Sequence, residues 1–494
     1  MLKISSPHST LFLSVGLVLT ASFQANAASI ANPNFGLAIN VDETSGAYSV
    51  NNAKTGWKFE GGVGTSIGKV NTGKGRDKLG DYQEIRLQWT DDSLWNGTIR
   101  SYSNRPLVSF AVGTSKASLG PTPDFPNFNS FPQKLRTLSF QDSVFSPPAF
   151  RLQQTSTPWF LFDDAGETAV LSPASDFLVS QMHGDGVDML ASGINAQVGK
   201  LPAGFNHTSF LVFESGITKA FKSWGDALTD LSGKPVVPDN ADELIKYLGY
   251  WTDNGGFYYY NYDKTKGYAG TLLELGKQYR EKKIPIRYMQ LDSWWYQKSL
   301  RNPNGSMGGN TKNANFPVGN WNAYGGTLDY SASPTLFPSG LAAFNKELGL
   351  PFVVHARWLD PTGPYRKKYE VSGVAPVDPK WWDERMAYLK ASGVITYEQD
   401  WLNEIYSNSP AIARDLKVGP AFADNMARAA RQNGITLQYC MATARFFLQG
   451  SKYSNLTTIR TSEDRFERGK WNNFLYTSLL ADSLRIRPWT DVFN

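Results

Sequence analysis

The sequence predicts an α+β multidomain protein: an amino-terminal antiparallel β-sandwich followed by a (β/α)8-type barrel that is incomplete at its carboxyl end. Three observations predict this. The chain has 494 residues, too many for one typical compact unit. Its first half carries short extended segments punctuated by Asp, Gly, Pro and Ser, the pattern of a sandwich. Its second half repeats apolar, β-branched runs that turn polar at their ends and alternate with helical patterns or long loops, as buried parallel strands do when they deliver chemistry at the mouth of a barrel. The boundaries read as 1–27 for a signal peptide, 28–216 for the sandwich, 217–235 for a connecting helix and linker, and 236–494 for the barrel.

Lys3 precedes the apolar run Leu11–Thr20, and Ala25-Asn-Ala27 supplies small residues for cleavage after Ala27. The expectation is an exported protein, periplasmic or extracellular. No later run is long enough for a spanning helix, so membrane anchoring is not expected. Cys440 is the only cysteine, which excludes an internal disulfide framework; its apolar neighbours Tyr439 and Met441 favour a buried thiol over a nucleophile. The net charge of +5 is modest and its lysines and arginines are scattered, which argues against a nucleic-acid partner. Aromatic residues are plentiful (Trp 15, Tyr 23, Phe 29), which suits a saccharide partner but equally suits packing.

Along the sandwich, Asn32–Asn52 is small and polar. Extended segments are expected at Trp57–Glu60, Tyr82–Trp89, Leu107–Val112, Lys134–Phe140, Ala149–Gln154, Trp159–Phe162 and Thr168–Leu171. Gly120–Phe131 is too proline-rich for a central strand and reads as a surface loop whose aromatics either pack locally or flank a cleft. His183 and His207 have no nearby ligand cluster and read as ordinary hydrogen-bonded histidines. Ile217, Phe221, Trp224 and Leu228 then recur at helical intervals until Gly233-Lys-Pro stops them.

Seven barrel strands are expected at Tyr247–Thr252, Ile284–Trp294, Pro351–Trp358, Val394–Leu402, Ile435–Met441, Thr457–Asp464 and Leu484–Asp491. Helical patterns lie between them at Thr271–Lys282, Gly340–Leu348, Lys380–Ala391, Gly419–Asn433 and Trp471–Leu480. The carboxyl ends of these strands carry the candidate sugar contacts. They are Trp251 and Asp253 after the first strand, and Asp292 and Trp294 after the second, which a long Gly/Asn-rich insertion with Trp321 and Tyr324 follows. His355 and Arg357 share one parity on the third, as do Glu398 and Asp400 on the fourth. Arg460, Glu463 and Asp464 end the sixth, and Asp491 the seventh. Glu398 and Asp400 brought close must stay hydrated, pair with positive groups, or divide their protonation states. Seven strands leave the usual eight-stranded closure one short, so the chain is truncated, closed by an unusual segment, or misread at one strand; truncation is the preferred reading.

From about Asp239 onward the sequence resembles the catalytic barrel of retaining α-galactosidases and raffinose-synthase-like glycoside hydrolases, families 27 and 36, and the preceding sandwich is similar to that of family 36. The carrying motifs are Tyr397-Glu-Gln-Asp-Trp401, Arg460-Thr-Ser-Glu-Asp464, Leu291-Asp-Ser-Trp294 and Pro488-Trp-Thr-Asp-Val-Phe493. The resemblance implies Asp400 as nucleophile and Asp464 as general acid/base, with adjacent Glu463 as the alternative, and Asp292 and Asp491 as substrate contacts. Two positions depart from the pattern. Ser293 stands where a second aspartate is expected, and Glu398 where the pattern has lysine, which reverses the local charge.

The implied chemistry is double displacement on an α-linked sugar. Asp400 attacks the anomeric carbon while Asp464 protonates the leaving oxygen, and Asp464 then activates water or a sugar acceptor. The two carboxyl groups should stand roughly 5–5.5 Å apart. The expected partner is an oligosaccharide or polysaccharide, with no cofactor and no metal. The alternatives are a transglycosylase on the same site and a catalytically impaired carbohydrate-binding homologue.

Overall fold

A computed structural model describes residues 27–253, 262–308, 323–464 and 468–491. The predicted signal segment up to residue 26, Trp321, and most of the tyrosine-rich loop after Asp253 lie outside the described residues.

The amino-terminal part is two antiparallel sheets packed face to face. One has seven strands, in the spatial order Ala27–Asn32, Leu37–Asp42, Ala47–Asn52, Trp57–Gly62, Asn127–Ser130, Leu190–Ile194 and Ser180–Gly184. The other has nine, running from Pro148–Ala149 through Arg136–Phe140, Trp159–Phe162, Glu167–Pro173, Phe205–Ser215, Leu107–Thr114, Leu94–Tyr102 and Gly80–Thr90 to Ile67–Asp77. Between them, Ile39, Val50 and Phe59 of the first sheet meet Ile85, Ile99, Phe110 and Leu211 of the second in one apolar cluster.

Two sequence expectations fail here: Gly120–Phe131 is not only a loop, and of the expected segment Ala149–Gln154 only Ala149 lies in a strand. Asn32–Asn52 holds two strands, because Leu37, Ile39 and Val41, and then Tyr48 and Val50, alternate into the core between its polar residues. Asn127–Ser130 is an interior strand, pairing with Trp57–Gly62 on one side and Leu190–Ile194 on the other. Phe128 within it and Phe125 just before it are fully buried in the sandwich rather than flanking a cleft. The prolines of Gly120–Phe131 precede the paired segment and so remove no ladder hydrogen bond from it.

The nine-stranded sheet is covered on its second face as well. Phe140, Phe160 and Phe210 turn away from the sandwich core and pack with Phe221 and Trp224 of the helix Ile217–Ser232. Burial on both faces explains why Leu107–Thr114 and Glu167–Pro173 are almost continuously buried.

The carboxyl-terminal part is one parallel sheet of seven strands in sequence order: Gly249–Tyr250, Tyr288–Leu291, Phe352–Ala356, Val394–Gln399, Thr436–Tyr439, Leu456–Arg460 and Arg487–Trp489. Helices Gly267–Glu281, Leu341–Leu348, Pro379–Ala391, Val418–Gln432, Ala444–Gly450 and Trp471–Ser483 alternate with them. The sheet curls until its edge strands approach. The rings of Trp251 and Trp489 lie 5.6 Å apart, and Arg460 reaches within 3.8 Å of Asp253. The insertion after the second strand contributes a hairpin, Tyr296–Lys298 paired with Thr327–Ala332, that the sequence reading did not anticipate.

Candidate active site

Strand parity puts Gln290 and Asp292, His355 and Arg357, Glu398 and Asp400, Gln438 and Cys440, and Arg460 on the concave side. One hydrogen bond demonstrates it: Gln290 Nε2 donates to Glu398 Oε2 at 3.1 Å, from the second strand to the fourth across the third. Gln290 also donates to Asp292 Oδ2 at 3.2 Å, and Thr252 ties the first two strand ends together by accepting from the Asp292 N–H at 3.0 Å.

Asp400 follows the fourth strand directly, its own N–H held by the Ala356 carbonyl at 2.9 Å. Its Oδ1 accepts from the Trp401 N–H at 2.7 Å, and its Oδ2 lies 3.0 Å from His355 Nε2. Nε2 facing a carboxylate is the donor, and His355 Nδ1 lies 3.1 Å from the Tyr296 hydroxyl. Burial drives the Asp400 carboxyl upward. The hydrogen bond and charge of His355, the Cys440 thiol and the Trp401 N–H outweigh it and leave the group below the ordinary carboxylate value. Glu398, two residues earlier, goes the other way. Burial, then the charges of Asp491, Asp400 and Asp292, push it well above its ordinary value against the single opposing hydrogen bond from Gln290.

A second cluster forms around Arg460, which ends the sixth strand with its side chain buried. Its guanidinium pairs with Asp491, donates to Asp464 Oδ1 at 3.2 Å and to the Ser462 carbonyl at 3.0 Å, and approaches Asp253 at 3.8 Å. Carboxylate oxygens of Asp253, Asp464 and Asp491 all lie within 4.8 Å of one another. Such a trio could hold a cation, and here the Arg460 guanidinium stands among them as the positive partner. Burial and the neighbouring carboxylates raise the proton affinity of Asp253 and of Asp491, the latter against the opposing charge of Arg460. The two clusters are continuous: the Cys440 thiol favours the charged form of Asp400 and accepts from Arg460 Nη1 at 3.5 Å. The thiol is buried, and burial raises its pKa well above the ordinary value.

Asp253, Asp292, His355, Glu398, Asp400, Arg460, Asp464 and Asp491 therefore share one end of the barrel. Four other candidates do not present themselves to that space. Trp251 is buried with Leu244, Tyr288 and Val353 and packs inside the barrel. Trp294 has no exposed surface; it stacks on Tyr268 and Phe337 and donates to Thr252 Oγ1 at 3.1 Å. Glu463 is half exposed and pairs with Lys470. Arg357 donates to the Tyr324 carbonyl at 2.8 Å, its guanidinium flanked by the rings of Tyr324, Trp358 and Trp401. In each case a partner from another element, invisible to strand parity, captures the side chain.

The sequence reading missed Tyr296, Gln290 and Cys440 as partners of the carboxylates. The inward parity of Gln290 and Cys440 was a usable signal. Nothing local marked Phe145 of the sandwich, whose ring lies 5.2 Å from the Arg460 guanidinium.

No family model and no curated protein matches this sequence. Solved structures do match. A β-arabinopyranosidase superposes with TM-score 0.54 at 11% identity, over 88% of this chain and 69% of its own. A glycoside hydrolase family 97 enzyme from Pseudoalteromonas sp. strain K8 gives 0.53 at 10%, over 88% and 69%. A variant GH36 α-galactosidase from Geobacillus stearothermophilus in complex with raffinose gives 0.52 at 12%, over 85% and 66%. The chain thus spans about two thirds of the length of these enzymes. The fold, an antiparallel β domain joined to a parallel barrel, is one that glycoside hydrolases use.

Proposed function

We propose that this protein is an exported retaining glycoside hydrolase acting on α-linked sugars, with Asp400 as nucleophile and Asp464 as general acid/base. The observation that carries the reading is the pairing of Asp400 with His355 at the end of the fourth strand. It favours an ionised carboxylate at a buried position, which a nucleophile requires. Asp464, rather than Glu463, suits the acid/base role because it faces Arg460 while Glu463 pairs outward with Lys470. In the first step Asp400 attacks the anomeric carbon, whose bond to the leaving oxygen breaks as the Asp464 proton passes to that oxygen; in the second, water attacks the same carbon, releasing the Asp400 carboxylate, while Asp464 takes the water's proton. Asp292, Asp253 and Asp491 offer acceptors for sugar hydroxyls from three different strand ends. No step needs a cofactor. The α-galactoside is the first substrate to try, although Ser293 and Glu398 alter the motifs that would bind it.

The test is hydrolysis of a panel of nitrophenyl α- and β-glycosides by the whole chain, beside Asp400→Asn and Asp464→Asn. Loss of about a thousandfold or more in kcat is expected for Asp400→Asn. Full turnover by both variants would reject the assignment. Export is tested separately by the mass of the mature amino terminus, expected to begin at Ala28; a soluble functional protein retaining residues 1–27 would contradict it.

A further inference from the structure

The turn that joins Arg136–Phe140 to Pro148–Ala149 leaves the sandwich and ends against the barrel site. It is closed by Gln141 N–H on the Pro147 carbonyl at 2.9 Å and by Ser146 N–H on the Ser143 carbonyl at 2.9 Å. Phe145 and Ser146 both take left-handed backbone conformations, at φ 61° and 47°, a strained choice for consecutive residues that are not glycine. Three contacts hold the turn to the barrel. Asp142 pairs through both oxygens with Arg445, at 2.7 and 3.2 Å. The Ser146 carbonyl accepts from Thr477 Oγ1 at 3.1 Å. Phe145, 8% exposed, lays its ring over Arg460.

The Arg460 guanidinium donates to Asp491, Asp464, the Ser462 carbonyl and Cys440 Sγ, and it lies over the Phe145 ring. A planar cation held by hydrogen bonds alone can still tilt about them; an aromatic ring packed against it limits the tilt. We propose that Phe145, carried by the sandwich, is a positioning residue of the barrel's reaction: it fixes the plane of Arg460 and thereby the place from which Asp464 delivers its proton. The inference rests on Asp464 being the acid/base. It gives the strained turn a purpose, since a relaxed turn would withdraw the ring from Arg460.

The test compares kcat/KM on two glycosides of one sugar, one with a dinitrophenyl leaving group that departs without protonation and one with a sugar leaving group that needs it. Phe145→Ala should lose about 10-fold on the second and roughly twofold or less on the first. Phe145→Tyr should restore both, and Phe145→Leu, which keeps bulk but lacks the ring quadrupole, should follow the alanine variant. Equal losses on the two substrates, or none, overturn the proposal. If the alanine variant does not fold, the leucine variant carries the same comparison. Asp464→Asn is measured alongside. Should it lack the leaving-group signature, the acid/base assignment fails and this inference falls with it. Should Asp464→Asn show the signature and the Phe145 variants not, this inference alone fails.

Discussion

Two carboxylates on one side of the fourth strand end with opposite proton affinities, and their partners account for the division. Asp400 receives hydrogen bonds from His355 and the Trp401 N–H, which favour its charge. Glu398 sits deeper, with one amide donor and three acidic neighbours, and favours its proton. The consequences for stability have opposite signs. The stability tied to Asp400 is present above the unfolded carboxylate value and is lost as pH falls through its depressed folded value. That tied to Glu398 is present below its unfolded value near 4.5 and is lost as pH rises through its raised folded value. Glu398→Gln keeps an oxygen for Gln290 and carries no charge to bury. It is expected to raise the melting temperature at neutral pH while changing it little near pH 4, as followed by circular dichroism. A lower melting temperature at neutral pH would show that Glu398 is an ionised, paired group instead. The shared parity of Glu398 and Asp400 could be read from Tyr397-Glu-Gln-Asp. How they divide a proton could not, because Gln290, His355 and Asp491 arrive from three other strands.

Among the elements, the most exposed to error from sequence were those whose burial breaks the expected period. Strands buried on both faces lose their alternation, and Asn127–Ser130 pairs on both sides although it follows a run of prolines. The parallel strands were legible because six of the seven reach a charged residue at or within three residues of their ends: Asp253, Asp292, Arg357, Asp400, Arg460 and Asp491. The edge strands proved short, Gly249–Tyr250 and Arg487–Trp489, for each has a ladder partner on one side alone among the described residues. The turn between Arg136–Phe140 and Pro148–Ala149 shows what element-level reading omits, since its purpose lies in another domain. Arg445, almost fully buried, depends on that turn for its counter-charge, and it also donates to Thr155 Oγ1 at 2.7 Å and the Leu178 carbonyl at 3.3 Å. Asp142→Ala would strand a buried guanidinium and is expected to cost about 3 kcal/mol in urea unfolding. Adding Arg445→Met should recover most of that, because the stranded charge is then gone. Additive losses in the double variant would mean that the two side chains do not act as a pair.

Sandwich and barrel are usually separable units, yet here the interface between them has the character of a core. One apolar cluster runs from Phe140, Phe160 and Phe210 of the sandwich through Phe221 and Trp224 of the connecting helix to Leu480 and Ile486 of the barrel. Gly225 on that helix meets the Ser483 carbonyl so closely that a Cβ built there would lie 1.9 Å from the oxygen, so glycine is required for the approach. Lys234, fully buried, donates to the Gly450 and Leu456 carbonyls at 3.0 and 3.3 Å, and Arg485 pairs with Asp226 and Asp230 of the helix. Domains joined by a small polar contact unfold separately, whereas a large apolar contact makes each the other's support. Losing the barrel would expose the second face of the nine-stranded sheet; losing the sandwich would uncover the connecting helix and free the turn that holds Phe145 and Asp142. Calorimetry of the whole chain is therefore expected to give one transition, with tryptophan fluorescence, which reports both parts, changing at the same temperature. Two resolved transitions, the first leaving sandwich strands protected from hydrogen exchange, would show that the shared cluster does not couple the domains. The sandwich could then not be holding the barrel's acidic end in place.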